Sequence, residues 1–342
     1  MKRPTILDIA RAAGVSKGAV SYALNGRPGV SAATRARILS IAEEMGWVPS
    51  SAARALSSDR ADAVGLVAAR TPELLATEPY FMRVVAGIEE TLAGRGTALL
   101  LTTVRDEATE LDTYRRWWVG RRVDGVLLLD MRTDDPRPAL LTELGAPGVV
   151  MGAQRGYAGL SGTRVDDHDA MRRAVGHLAE LGHRRIARVS GPRRLEHAAL
   201  RSRYFDEACR ALLGAEQVQV EADYTARGGL AATRGLLAEP CPPTAIIYDN
   251  DVMAVASVSE LTSAGVRIPA ELSVLAWDDS PLCELVRPTV TAFVHDVESE
   301  AGAAAKLLLN RLQTGSAEDV WLGPRQLRVR ASTASVGISR SA

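Results

Sequence analysis

Lys17, Gly18, Ser21 and Tyr22 fall on one side of the stretch Lys17 to Leu24, whose other side carries Val20, Ala23 and Leu24. An ammonium, a hydroxyl, a phenol and a bare backbone are groups that meet phosphate oxygens and base edges. That chemistry needs a rigid helix to present it. Ser16 supplies an N-cap for this helix and Asn25-Gly26 ends it. Upstream, Ile6, Ile9, Ala10 and Ala13 recur at helical spacing, with Thr5 as N-cap and Asp8 favoured by the helix dipole. Gly14 makes the turn between the two helices. Ser31 caps a third helix, with Ile38, Ile41, Ala42 and Met45 inward and Gly46 closing it. Two helices around a glycine turn, braced by a third, form the helix-turn-helix plan, whose second helix enters the major groove. A small helical bundle with no DNA role is the other reading of the pattern.

Charge separates the two readings. Residues 1–60 hold nine basic and four acidic side chains, a net charge of +5, while the whole 342-residue chain is neutral. The remainder therefore carries −5. A basic head on phosphates and an acidic body held off them fit this asymmetry. The length predicts two or three domains. The start of the sequence reads as neither signal peptide nor membrane span, which predicts a cytoplasmic protein with no membrane partner. Cys209, Cys241 and Cys283 are scattered and suit core packing in a reducing compartment.

The string TILDIARAAGVSKGAVSYALNG resembles the N-terminal signature of LacI/GalR-family transcriptional regulators. The resemblance implies DNA contacts from Thr5, Ser16, Lys17, Gly18, Ser21, Tyr22, Asn25 and Ser31. Two departures matter. Ala19 and Tyr22 stand where the family commonly has Thr and Arg, so the hydroxyl and the bidentate guanine contact are missing. The operator sequence of other members therefore does not transfer. PSSAARAL, residues 49–56, resembles the family's hinge segment, which would place Ala53 on DNA and Leu56 as a minor-groove wedge. A flexible tether is the alternative for that segment.

From Ala63 onward, short apolar runs alternate with helical patterns. Val64–Ala68, Ala98–Leu101, Val126–Leu129 and Val149–Met151 form one set of strands. Ile186–Val189, Val218–Glu221, Ala245–Tyr248 and Val274–Ala276 form a second. The expected fold is an all-α helix-turn-helix head plus an α/β two-lobed body with two parallel sheets. This body resembles a periplasmic-binding-protein-like sensor. The expected domains are 1–48 for the head, 49–61 for hinge and linker, and 62–342 for effector binding and dimerisation. Lobe 1 takes 62–162 and 292–322, and lobe 2 takes 163–291 and 323–342. The chain would cross between lobes near Gly162–Arg164, Thr289–Ala292 and Trp321–Gly323.

Ligands of open α/β sheets bind at the carboxyl ends of strands, so the cleft between lobes is the expected site. The resemblance places Arg201, Asn250 and Asp278 there, with Tyr224 as an apolar wall. Arg203 is an alternative to Arg201, and ordinary packing is an alternative for Tyr224. Tyr80, Phe81 and His295 are further candidates from the first lobe. Asp251 is read as a helix cap, and Asp279 as a cap or a solvated side chain. Sugar-binding members commonly carry an Asp after the strand near Met151, where this chain has MGAQRG. Gln154 or Arg155 could substitute, with a changed preference for the ligand.

No GxSxG elbow, phosphate-binding loop or metal-spaced His/Cys set occurs, so no catalytic residue, metal or cofactor is expected. The expected function is a repressor that binds a palindromic operator in double-stranded DNA as a homodimer or larger assembly. A small molecule, a sugar or sugar derivative, controls it from the cleft. One rival keeps the DNA role but has a protein co-effector on the lobes. The other is a transport-type solute binder, which calls for a signal peptide and no DNA head.

Overall fold

The computed structural model describes residues 4–47, 60–157 and 159–336. It divides into two compact units, residues 1–61 and 62–342. In the first, α1 (Ile6–Ala13), α2 (Lys17–Leu24) and α3 (Ala32–Glu44) bury Ile9, Ala13, Val20, Ala23, Ile38 and Ala42 against one another. These are the stripes that the helical spacing marks, except at Met45, which is expected inward but lies exposed at the C-cap of α3, one turn past the packed stripe; the head is held by a small apolar core.

The second unit contains two six-stranded sheets. The first has the order β11-β5-β4-β3-β1-β2, with β1 Ala63–Ala68, β2 Ala98–Thr103, β3 Gly125–Leu128, β4 Gly148–Val150, β5 Ser161–Arg164 and β11 Val320–Trp321. The second has the order β12-β10-β9-β8-β6-β7, with β6 Ile186–Ser190, β7 Gln219–Glu221, β8 Ala245–Tyr248, β9 Ser273–Ala276, β10 Thr291–Val294 and β12 Gln326–Arg328. Every pairing is parallel except β10 with β12. Each sheet is covered by an apolar cluster on both faces, which is why its central strands are near-continuous apolar runs.

Three crossings join the lobes. The first corrects the expectation at Gly162–Arg164, because Thr163 and Arg164 still pair with β11 in the first sheet; the chain leaves β5 after Arg164 and enters the helix Asp167–Glu180. The second corrects the expectation at Thr289–Ala292. Ala292, Phe293 and Val294 pair with β12 in the second sheet, so the chain crosses at His295–Asp296. The third lies between Trp321 and Gln326. The helix Val297–Thr314 returns to lobe 1 and packs on the helix Pro79–Ala93. A Cβ at Gly87 would sit 2.1 Å from the Glu298 carbonyl oxygen, so the backbones meet where only glycine fits. Among the described residues no helix is long and apolar enough to cross a membrane.

Candidate functional site

The head presents its polar groups in two ways. Thr5 and Asp8 form a reciprocal capping box, with the Thr5 backbone N–H donating to Asp8 Oδ2 at 2.9 Å. Ser16 Oγ accepts from the Ala19 N–H at 3.1 Å, and Ser31 Oγ from the Thr34 N–H at 3.2 Å. Asn25 Nδ2 donates to the Ser21 carbonyl at 2.9 Å. Four of the expected DNA residues are thus helix-end fasteners as well. Lys17, Gly18 and Tyr22 are exposed along α2, with Ser21 half-buried beside them. The Tyr22 ring lies over Gly29, where a Cβ would come within 3.1 Å of it. Arg35 donates to the Arg27 carbonyl, while Arg37 is exposed. Ala53 and Leu56 lie outside the described residues.

In the body, the strand ends of both sheets converge on one cleft. Its wall includes Tyr80, Arg201, Tyr224, Asn250, Asp278 and His295. Phe81 is the exception among the expected residues. It is 2% exposed and turns into the lobe 1 core, because its position on the helix Pro79–Ala93 is on the buried stripe.

Asp278 follows β9 and accepts from His295 Nε2 at 3.0 Å. Burial works against the Asp278 charge, but the bond from His295, its charge, and the nearby Arg325 and Arg201 hold the carboxyl below the ordinary range. Burial and Arg325 press His295 towards its neutral form. The bond to Asp278 and the neighbouring Glu300 carboxylate outweigh them and raise it. The imidazole that marks the second crossing is therefore wired to a carboxylate in the cleft.

Arg201 donates from Nε to Asp167 Oδ2 at 2.7 Å, and its guanidinium lies 4.6 Å from the centre of the Trp277 ring. Arg325, on the third crossing, donates to the other Asp167 oxygen at 3.0 Å. Asp166 caps the helix that Asp167 begins. Burial opposes the Asp167 charge, and the two arginines overcome it and depress its pKa strongly. The fork at Arg201 is thus held in place before any ligand arrives. Arg203 is exposed.

Asn250 corrects a simpler expectation. Its Oδ1 accepts from the Met253 N–H and its Nδ2 donates to the Tyr224 carbonyl, both at 3.0 Å. Asn250, not Asp251, caps the helix Asp251–Ser263. Asp251 is buried, and that burial together with the charge of Asp278 pushes its pKa up to about 6. Asp279 is neither a cap nor solvated, since it accepts from Arg330 at 2.8 Å. Tyr224 stands at φ +68° and accepts or donates through its hydroxyl to His197 Nε2 at 2.8 Å. A Cβ at Gly191 would lie 2.0 Å from the Tyr224 ring, so glycine is required there.

Several lining groups escaped the sequence reading. Arg70 follows β1 and pairs with Glu78 and, at 2.7 Å, with Asp130, which follows β3 at φ +52°. Asp130 places a lobe 1 carboxylate in the cleft wall, where MGAQRG has none. Gln154 lines the cleft, while Arg155 turns to Glu196 at 2.6 Å. Asp249 sits under the cleft, clasped by the fully buried Arg188 at 2.8 and 2.5 Å. Their signal was the one that marked Asn250 and Asp278, a polar residue one or two places past a strand.

A basic helix-turn-helix head and a two-lobed ligand-binding body define a DNA-binding transcriptional regulator. Comparison agrees with that class. Residues 5–50 match the bacterial regulatory proteins of the lacI family, and residues 175–333 match a periplasmic binding protein-like domain. The chain is 34% identical over 328 residues to the HTH-type transcriptional regulator CelR of Thermobifida fusca, covering 94% of this chain and 95% of that one. A solved complex of the transcriptional regulator CelR with cellobiose is similar at 32% identity and a TM-score of 0.72, over 96% of this chain and 100% of that one. The lac repressor dimer bound to operator and the anti-inducer ONPF, at 24% identity, shares the fold with a TM-score of 0.83 over 98% and 100% of the two chains. The chain belongs to the lacI family of bacterial regulatory proteins. It is a regulator and not an enzyme.

Proposed function

We propose that this protein is a repressor whose homodimer binds a near-palindromic operator and whose affinity for it is set by a sugar or sugar derivative in the inter-lobe cleft. The observation that carries the proposal is the cleft itself. An ionised Asp278, an oriented Arg201, the Asp130–Arg70 pair and the Tyr224 ring converge at strand ends of both lobes. Fixed acceptors, donors and a ring face are the groups that a polyol needs. The link from Asp278 to His295 and from Arg201 through Asp167 to Arg325 runs to all three crossings. A ligand that engages these groups differently in two lobe arrangements shifts the balance between them, and operator affinity with it. The complex of CelR with cellobiose supports a carbohydrate as the effector class.

In the head, Lys17, Gly18, Ser21 and Tyr22 read bases, while Thr5, Ser16, Asn25 and Ser31 set the helix ends against the backbone. Ala53 and Leu56 contribute from the hinge segment. The test is selection of operators from a randomised DNA pool by the full chain, followed by affinity measurements over a range of salt and with a sugar panel. The proposal expects a two-fold symmetric site, a steep loss of affinity with salt and a response to at least one sugar. An asymmetric single half-site would remove the dimer, and affinity indifferent to every sugar would remove the effector class.

A further inference from the structure

The exposed face of α2 offers few groups to a base edge. Gly18 has no side chain, and Ser21 is half-buried with its hydroxyl 3.4 Å from Asn25 Nδ2. The long side chains there are Lys17 and Tyr22. Tyr22 is 45% exposed, yet its ring is seated. Gly29, in the loop between α2 and α3, stands at φ +114°, and a Cβ there would lie 3.1 Å from Tyr22 Cδ2 and 3.4 Å from Cε2. One edge of the ring therefore rests on bare backbone. The loop that makes this seat is tied down by its own neighbours. The Arg27 N–H donates to the Tyr22 carbonyl at 2.9 Å, and Arg35 of α3 donates to the Arg27 carbonyl. An alanine at Gly29 would be strained by its φ and would press on the ring.

A seated ring has a narrow use in the major groove. It cannot supply the paired donors that a guanidinium brings to guanine, or the amide pair that meets adenine. Its one hydroxyl rotates and both donates and accepts, so it separates the bases poorly. What the ring does offer is apolar carbon. Among the groups that the base pairs display in the major groove, the thymine C5 methyl is the apolar one. Packing that methyl on the ring removes apolar surface of both from water.

We propose that Tyr22, seated on Gly29, reads thymine through its methyl group at one position of each half-site, with Gly29 as a positioning residue. This rests on the reading of α2 as the helix that enters the major groove. It assigns a base, and the group recognised on that base, to one residue of the helix.

The test uses operators selected from a randomised pool by the full chain, wild type and Tyr22→Ala. The position at which the variant loses preference should be a thymine in wild type. Deoxyuridine at that position removes only the methyl. It should weaken wild type about four-fold for each half-site changed, the worth of one buried methyl. Tyr22→Ala should bind the thymine and deoxyuridine sites alike. Where cytosine replaces the thymine, 5-methylcytosine should bind wild type more tightly than cytosine does. Tyr22→Phe keeps the ring and should keep the discrimination against deoxyuridine. Gly29→Ala should blunt that discrimination while leaving the preference that depends on Lys17, and Tyr22→Phe with the deoxyuridine site keeps the test open if Gly29→Ala misfolds. Another base at the position that depends on Tyr22, equal affinity of wild type for thymine and deoxyuridine, or a Tyr22→Phe protein blind to the methyl would overturn the proposal while sparing the operator reading. Unchanged preference in Tyr22→Ala would overturn it as well, and full discrimination in Gly29→Ala would overturn the role of the seat. Selection of no sequence from the pool would overturn the operator reading too.

Discussion

The recognition face of the head and the wall of the cleft use polar side chains in opposite ways. On α2, Lys17 and Tyr22 stand in solvent, and the side chains that are engaged serve helix ends. In the cleft, Arg201, Asp278, Asp130 and Asp249 are each locked to a partner within the body. The head leaves the groups proposed to read DNA exposed and draws stability from a separate apolar core. The cleft ties the groups proposed to meet the effector into the structure, so the same contacts hold both fold and candidate site. Substitutions on the head should therefore remove function with little loss of stability, while those in the cleft should cost both.

The largest effect should come from Asp249→Ala. It strands the Arg188 guanidinium, which is 0% exposed, and removes the acceptor of the Gly191 N–H. Removing one partner of a buried pair costs about 3–5 kcal/mol. Chemical denaturation should show that loss in the transition of the body. A loss under about 1 kcal/mol would break the comparison, since buried pairing would then not be holding the cleft.

Lys17→Ala and Tyr22→Ala should each cost about 1–3 kcal/mol of operator binding for a lost base contact. Their unfolding free energy should stay within about 0.5 kcal/mol of wild type, as surface changes do. Unchanged preference in a randomised operator pool for both variants would remove these residues as readers.

A smaller effect concerns pH. Burial and the neighbouring Arg201 push His197 down to about 4. The unfolded chain takes up this proton near its ordinary value of about 6.5, before the folded chain does. The unfolded state binds more protons between those values, so stability is lost as pH falls from about 6.5 through 4. Melting temperatures across that window should fall less steeply for His197→Gln. Superimposable profiles would show that the cleft leaves this histidine at its ordinary value.

How far each region could be read from sequence follows from the same difference. The head is local, so caps at Thr5, Ser16 and Ser31 and the stripe of Ile9, Ala10 and Ala13 sit within a few residues of what they serve. β3 and β8 were visible because they are buried on both faces and apolar throughout. β5 carries no apolar run, since Ser161 and Thr163 are polar and buried by pairing with distant chain. The lobe to which β10 belongs is not legible locally, because its partner β12 lies more than thirty residues later. In the cleft, Asn250 and Asp278 were legible as polar residues after strands. Arg70 and Asp130 carry the same mark, but their pairing spans sixty positions and exists only in the fold. Phe81 and Tyr80 are adjacent aromatics in the sequence, but a helix sends neighbouring residues to different faces, so only Tyr80 reaches the cleft.

The central claim is that occupation of the cleft and operator binding are coupled through Asp278. It is tested most directly by operator affinity of the full chain, with and without cellobiose and the other sugars of the panel, for wild type and Asp278→Asn. Operator affinity without sugar should match between the two, since the head is unchanged. The shift on adding the effective sugar should be large in wild type and much reduced in the variant, because a neutral amide replaces a charge-assisted acceptor. An Asp278→Asn protein that responds to the sugar as fully as wild type would contradict the account.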